Sequence, residues 1–582
     1  MSQQFNEVRV GNSARSTFDL SHHQVTTSDF GYLIPICVRD LCPNDDVVCN
    51  PSLFARLAPL AFPTYGRITC RVHSYFVPYR ILYPHWSEWI TQSPSNNTIP
   101  PYFTVSTLRQ ALAADPQFSG SSGLTLPRGI YGRVMANLGI NPDTVITGSG
   151  LDANDRIAAW RWLAYYRIWL DWYMDSNIND HASMVAAFND TIKDGGSMVA
   201  QATSFLRYRN ACFGKDYFTT AKLHPQASED PSLVGVDIAS SGLNPGLTST
   251  GVTAIRLNST GQVGATNGST LPTGSNSLIG QFTVEELRAA TSLQRYLERN
   301  NYVGTKVINQ LLVHFGIAPT PERLDMSEFL GGSNFNVQIG DVTSTTPNYD
   351  PDSPDRPSTV SLGAQAGKGI AVSQTETIRY HAKEHGVFMT LLSILPDTAY
   401  YQGIPKIMQL GVTGDPLDYY TPEFENLGFQ EILNKEVFVP KSADTYQEYD
   451  PDGIFGYAPR YAFLKWQNDI LAGDFVGNYT NAIYPEGVMG AQMDAWHLFR
   501  KFNYNGTDPL ALNDNFVECD NHNNDYDRIF QNTNTQLDHF YFNIDVDFKS
   551  TRNMVGFAEP SLDSVNMEDG NKINLPYGGT RL

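Results

Sequence analysis

The sequence predicts a mainly β fold, an antiparallel sandwich closed as a Greek key or jelly roll and interrupted by large helix- and loop-rich insertions. Three observations predict it. Apolar and polar residues alternate with period two near both ends of the chain, which gives a strand one packed face and one wet face. Between those ends the spacing becomes helical and then dissolves into stretches of Gly, Ser, Thr, Asn and Pro. A chain that leaves a sheet near residue 80 and returns near 366 suits Greek-key closure better than a simple meander.

The material is sufficient. The chain has 582 residues, 41% of them hydrophobic, 12% aromatic and only 17% charged, so it can bury a large core and is not disordered as a whole. Length alone fixes no domain count, because large all-β domains exceed the usual roughly 150 residues.

Taken in order, residues 1–24 read as an N-terminal arm. A first strand is expected over 30–39. The next is Arg67 to Pro78, with Ile68, Cys70, Val72 and Phe76 on one side and Arg67, Arg71 and His73 on the other, and Pro78 as its stop. Asp152 to Asp175 reads as a helix whose Trp160, Leu163, Ile168, Trp169 and Trp172 form an aromatic surface that must pack against something. A second helix starts at Thr283, where Thr283 and Glu286 have the spacing of a capping box, and continues through Leu287, Ala290, Leu293 and Leu297. A third, 305–315, places Val307, Ile308, Leu311, Leu312 and Phe315 at helical spacing, with Gly316 as a left-handed C-terminal cap.

Further strands are expected over 369–380, 386–395, 427–439 and 537–548. The last is the clearest: Phe540, Phe542, Ile544, Val546 and Phe548 alternate with His539, Tyr541, Asn543, Asp545 and Asp547. The sandwich is thus assigned to 25–80 and 366–550, the insertion to 81–365, and a C-terminal extension to 551–582. Within the insertion, Ala239 to Phe282 has Arg256 as its only charged residue and reads as a long surface excursion. Thr343 to Ser361, with four prolines, reads as a second loop.

Charge and chemistry exclude more than they assign. Sixty acids against 40 bases give a formal charge of −20, which opposes wholesale wrapping of a polyanion, since phosphate binding draws on Lys and Arg. The six cysteines include no C-x-x-C pair and read as buried free thiols. The apolar run Val387 to Leu395 is too short for the ~20 residues of a bilayer span, and the N-terminus lacks the basic start and apolar stretch of a secretory signal, so membrane insertion and export are not expected. Gly363 to Gly369 is one residue short of a phosphate loop and lacks its Ser or Thr. His381 and His385 read as a surface or interface pair rather than metal ligands. Asp350-Pro-Asp352, Asp450-Pro-Asp452-Gly453 and Asn513 to Asp527 read as turns rather than calcium loops. No catalytic, cofactor or metal residue is assigned. Thirteen arginines precede the first lysine, Lys193, and arginine with aromatics can hold single-stranded nucleic acid.

The order of motifs resembles a known family. Asn12-Ser-Ala-Arg-Ser-Thr-Phe-Asp19 with Ser21-His22, Gly31 to Pro35 and Phe54 to Leu57 resembles the opening of microvirus major capsid proteins, particularly the gokushovirus branch. Phe76-Val-Pro-Tyr-Arg80, Trp172 to Asn177, Lys215-Asp-Tyr-Phe-Thr219, Leu293 to Arg299, His314-Phe-Gly316, Leu330-Gly-Gly332, Glu384-His-Gly386, Tyr400-Tyr-Gln-Gly403, Phe455-Gly-Tyr457 and Trp496-His-Leu498 keep the family's order. One departure is Lys222-Leu-His-Pro225, where the family's Trp-Pro is absent.

The resemblance implies an eight-stranded viral jelly roll that self-assembles into a T=1 icosahedral shell around circular single-stranded DNA, with 228–280 as a threefold protrusion for host contact. It implies assembly in the bacterial cytoplasm, residence in the virion, and four kinds of partner: copies of itself, internal scaffolding and pilot proteins, a host surface receptor, and a small basic DNA-binding protein that offsets the acidic wall. Arg9, Arg15, His22 and His23 are the candidates for facing the lumen and DNA. The alternative for the arm is a clamp on a neighbouring subunit. The rival function is a soluble jelly-roll glycan-binding protein or hydrolase.

Overall fold

The computed structural model describes residues 15–91, 99–113, 130–142, 145, 150–198, 202–226, 237–238, 255–257, 263–265, 280–281, 284–343, 365–411, 416–440, 449–476, 493–502, 511–520, 525–531 and 538–554. Two antiparallel sheets dominate. The early strands are β1 (Ser16–Asp19), β2 (His22–Ser28), β3 (Ile34–Leu41), β4 (Asp46–Leu57) and β5 (Ile68–Pro78). A small pair, β6 (Tyr102–Thr104) and β7 (Arg156–Ala158), lies in the insertion. The four short strands β8 (Asp237–Ile238), β9 (Ile255–Leu257), β10 (Val263–Ala265) and β11 (Gly280–Gln281) pair as β8 with β11 and β9 with β10.

The later strands are β12 (Glu328–Asn336), β13 (Gln338–Thr343), β14 (Gln365–Gln374), β15 (Ile378–His381), β16 (Gly386–Pro396), β17 (Phe429–Leu433), β18 (Ile454–Pro459) and β19 (Phe540–Arg552). In the first sheet β1 and β2 run along one side of β19, β4 along the other, β14 and β15 follow end to end along β4, and β13 pairs with β14. The second sheet has the order β12-β5-β16-β3.

The alternation predicted for the last strand holds: Phe540, Phe542, Ile544, Val546 and Phe548 are buried while Tyr541, Asn543, Asp545 and Asp547 are exposed. These apolar residues meet the second sheet, where the Phe548 and Phe388 rings sit 5.5 Å apart edge to face. His539 departs from the pattern. Alternation puts it on the wet face, yet it is buried, because it precedes the strand proper and turns into the core.

β16 is buried at every position, which requires cover on both faces. The sandwich supplies one cover and the insertion supplies the other. Its helices include α1 (Val105–Ala113), α2 (Ile130–Asn137) and α3 (Trp160–Ile168), the last continuing as a π-helical turn, Trp169–Tyr173. Tyr165 in α3 donates to Leu33 O at 2.9 Å. The helix predicted from Asp152 therefore starts later, at Trp160, because Arg156–Ala158 pairs as a strand with Tyr102–Thr104 instead.

In the π-helical turn, buried Asp171 accepts from Arg167 Nε at 3.0 Å and from Ser327 N and Oγ, both at 2.8 Å, and lies 3.4 Å from His181 Nε2. One carboxylate thus ties α3 to α4 (His181–Ile192) and to the residue before β12. Burial pushes this carboxyl's pKa up, but Arg167, His181 and Ser327 outweigh that and hold it below the ordinary value.

Other expectations need correction. Residues 427–439 split into β17 and a short helix, Asn434–Val437, where Glu436 folds back to accept from Leu433 N at 3.0 Å. Strands β1, β2, β12 and β13 lie in stretches without clean apolar alternation, and sequence reading also misses β4, which does alternate, with Val47, Cys49, Leu53, Ala55 and Leu57 inward. β12 contains Gly331-Gly332 and a bulge, and β1 and β2 are polar, as suits an outer position beside β19. Thr283 of the proposed capping box lies outside the described residues, as do Asp350-Pro-Asp352, most of the 239–282 excursion, 344–361 and all of the C-terminal extension after 554.

Residues His224–Gly304 form a separate compact unit containing β8 to β11 and α5 (Val284–Val303), with Asn301 Nδ2 donating to His224 O at 2.6 Å so that the ends of the unit meet. The rest of the chain is the other unit. There α6 (Val307–Phe315) ends at Gly316, whose φ of 68° is the left-handed cap the sequence predicts. All six cysteines are free, and Cys37, Cys49, Cys70 and Cys519 are buried. Among the described residues no helix is long and apolar enough to cross a membrane.

Candidate functional site

β2 presents His22, Gln24 and Thr26 half-buried on one side and His23, Val25 and Thr27 to solvent on the other. The half-buried side faces an open groove of about 500 Å³, closed by Val38 and Arg39 of β3, the end of α2, Arg161 and Tyr208. Its floor is a fixed amide network. Gln24 Nε2 and Thr26 Oγ1 donate to Asn137 Oδ1 at 3.1 and 3.0 Å, and Asn137 Nδ2 donates to the Tyr208 hydroxyl at 2.6 Å.

The sequence candidates occupy different situations. Arg9 lies outside the described residues. Arg15 is committed to its own chain: Nη2 donates to Asp46 Oδ2 at 2.6 Å and Asn44 O at 2.8 Å. The same Asp46 takes His381 Nδ1 at 2.6 Å, and its pKa is lowered by His381 first and then by Arg15. His23 pairs with Asp545 at 2.7 Å across to β19 and is half exposed. Both His22 and His23 line the groove, and His22 is the one on its half-buried side. Burial, followed by the Arg39 charge, lowers its pKa, so it is neutral at pH 7 and Nδ1 can accept from Arg39 Nη2 at 3.0 Å. His22 and His23 therefore diverge, as strand neighbours must.

Arg39 is the residue that sequence reading misses. Its guanidinium donates to Leu20 O at 3.1 Å, Val38 O at 3.3 Å and His22, its buried Nε meets no acceptor, and it has no ion pair among the described residues. Arg133 and Arg161 in the same wall are matched by Asp538 and Asp40. Among the described residues Arg39 thus gives the groove a positive charge with no matching carboxylate, beside amide donors, a combination suited to an anionic oxygen or the edge of a base. The available signal was its place at the end of the apolar run Leu33 to Val38, where a charge reads as a strand boundary.

Two apolar surfaces are uncovered. Lys306 anchors the start of α6 by donating to Asp171 O, yet no residue of α6 is buried, and Val307, Leu312, Phe315 and the following Ile317 are each more than half exposed. Among the described residues, the amphipathic face predicted from sequence thus stays largely exposed. The second surface lies where the turn Lys406–Met408 packs beside Ala462–Leu464, with Ile407, Met408, Leu464, Trp466 and Ile470 exposed. Apolar groupings of this kind on a folded chain mark surfaces that associate.

The comparisons with known proteins point the same way. A family model described as "Capsid protein (F protein)" matches residues 6–562. The chain is 26% identical to "Capsid protein VP1" of Chlamydia phage 1, over 97% of this chain and 98% of that protein. It is 24% identical to "Capsid protein VP1" of Bdellovibrio phage phiMH2K, over 88% and 90% of the two, and 21% identical to that of Spiroplasma virus 4, over 83% and 84%.

Proposed function

We propose, from the premise that this chain belongs to the phage capsid protein (F protein) family of the Microviridae and is a structural component of a virion rather than an enzyme, that its copies close into a T=1 icosahedral shell around a circular single-stranded DNA genome. The pairing order carries this reading. Strands β2, β19, β4 and the β14/β15 pair in one sheet, with β3, β16, β5 and β12 in the other, give eight positions in which successive strands change sheets everywhere except between β5 and β12. Two interleaved Greek keys of a jelly roll have that order. The sandwich would form the wall, and α6 with the 404–470 surface would supply subunit contacts.

Shell assembly takes place in the bacterial cytoplasm, guided by internal scaffolding and pilot proteins. The excursion 228–280, which falls within the His224–Gly304 unit, is the candidate threefold protrusion that meets a host surface receptor. A charge of −20 per subunit repels DNA, so a small basic protein lies between wall and genome. Where the wall itself touches DNA, Arg39 with His22 is the better-placed contact. Arg15 is already matched by Asp46. Of the candidates Arg9, Arg15, His22 and His23, the last three lie close in sequence before and along β2, but His22 and His23 point to opposite faces of it, so no single face would present all three.

Electron microscopy of the purified chain tests the assembly, with uniform round particles expected. A population of monomers under every assembly condition, with hydrolase or glycan-binding activity, would favour the rival. For the DNA contact, Arg39→Gln is expected to lower DNA retained per particle while leaving empty shells, whereas Arg15→Gln leaves retention unchanged. Equal retention in both variants removes the groove from the contact.

A further inference from the structure

We infer that Asp29, Asp527 and His539 form a buried structural site for a divalent metal ion of the zinc class. The three come from separate parts of the chain. Asp29 follows β2, Asp527 lies in the 3-10 turn Tyr526–Ile529, and His539 immediately precedes β19. All three are buried, at 4%, 6% and 1% exposure.

Their donor atoms converge. His539 Nδ1 lies 3.0 Å from Asp29 Oδ2 and 3.4 Å from Asp527 Oδ1, and the three atoms are all within 4.8 Å of one another. One ring nitrogen faces two carboxylate oxygens, and a neutral imidazole can give a hydrogen to only one of them. Two carboxylate oxygens and one imidazole nitrogen that converge in the interior are donors of the kind a divalent cation takes.

The two separations from the ring nitrogen, 3.0 and 3.4 Å, lie near those of coordinated donors. Zinc bonds to nitrogen and oxygen are about 2.0 to 2.2 Å, which sets neighbouring tetrahedral donors roughly 3.3 to 3.5 Å apart. Calcium asks for six to eight oxygens, and a set of one imidazole and two carboxylates suits zinc better. The donors are also held in place. Phe530 stacks on the imidazole with centroids 4.1 Å apart, Phe30 N donates to Asp29 Oδ1 at 2.9 Å, leaving Oδ2 turned towards the ring, and Ala58 N donates to His539 O at 2.7 Å. A metal here would pin the end of β2 to the start of its partner β19.

The test uses the full chain, stripped with EDTA and then titrated with zinc chloride. Wild type is expected to retain one zinc per chain by elemental analysis after dialysis, and to melt about 2 °C higher at a hundredfold excess over Kd. His539→Gln and Asp527→Asn are each expected to lose that equivalent and the shift. Retention of the same equivalent by both variants, or no retention and no shift in wild type, overturns the proposal. Should the variants fail to fold, cobalt replaces zinc in wild type. Visible bands of a nitrogen and oxygen site are expected, and thiolate charge-transfer absorption, which would place the ion on the free cysteines, overturns it.

Discussion

Glu518 is pulled in the direction opposite to Asp171. Burial first, and Asp514 second, push its pKa up to about 7. A carboxyl with a raised folded pKa binds its proton more tightly in the native state, so its contribution is favourable below pH 4.5 and is lost as pH rises towards 7. Thermal or urea unfolding should show Glu518→Gln abolishing a decline of about 2 kcal/mol between pH 4.5 and 7.5. Asp171 has a lowered pKa, so its contribution is present above the unfolded value and fades only as pH falls below about 4. Asp171→Asn strands the Arg167 charge in the interior and is expected to cost about 3 kcal/mol at neutral pH by denaturant unfolding. Residues of this sort were illegible in the sequence. Asp171 and Glu518 look like any other acids until partners 156 residues away, such as Ser327, or adjacent burial define them, and His539 was placed on the wrong face by an alternation that begins only one residue later.

At the scale of elements, legibility followed periodicity. β19, β5 and α6 announced themselves because one face of each is mostly apolar, whereas β12 hides behind two glycines and β2 behind the polar run His22-His-Gln-Val-Thr-Thr-Ser28. What the spacing in α6 could not reveal is that its apolar face stays exposed among the described residues. Phe315→Asp should therefore leave the melting temperature of the isolated chain within about 1 °C, a surface substitution being worth little, while sedimentation shows association weakened at least tenfold. Ile544→Ala, by contrast, opens a cavity between the sheets and is expected to cost about 3 kcal/mol in urea unfolding, while Tyr541→Ala on the outer face costs under about 1 kcal/mol.

For the molecule as a whole, the fold class was legible and the pairing order was not, since sheet membership depends on which distant strands meet. The His224–Gly304 unit closes on itself through Asn301 and His224. Replacing 224–304 by a short glycine linker is accordingly expected to leave the remaining chain folded, with an unchanged near-ultraviolet circular dichroism of its buried aromatics; a molten spectrum would show the unit to be needed for folding. The partnership of β2 with β19 has a further consequence in time. His22 and Val546 are neighbours about 520 residues apart, a distance that a ribosome covers in roughly 25 to 100 s. During that interval the nascent polypeptide lacks its central strand, so no half-made copy can present a finished wall to its fellows, and polymerisation is deferred until β19 has been made.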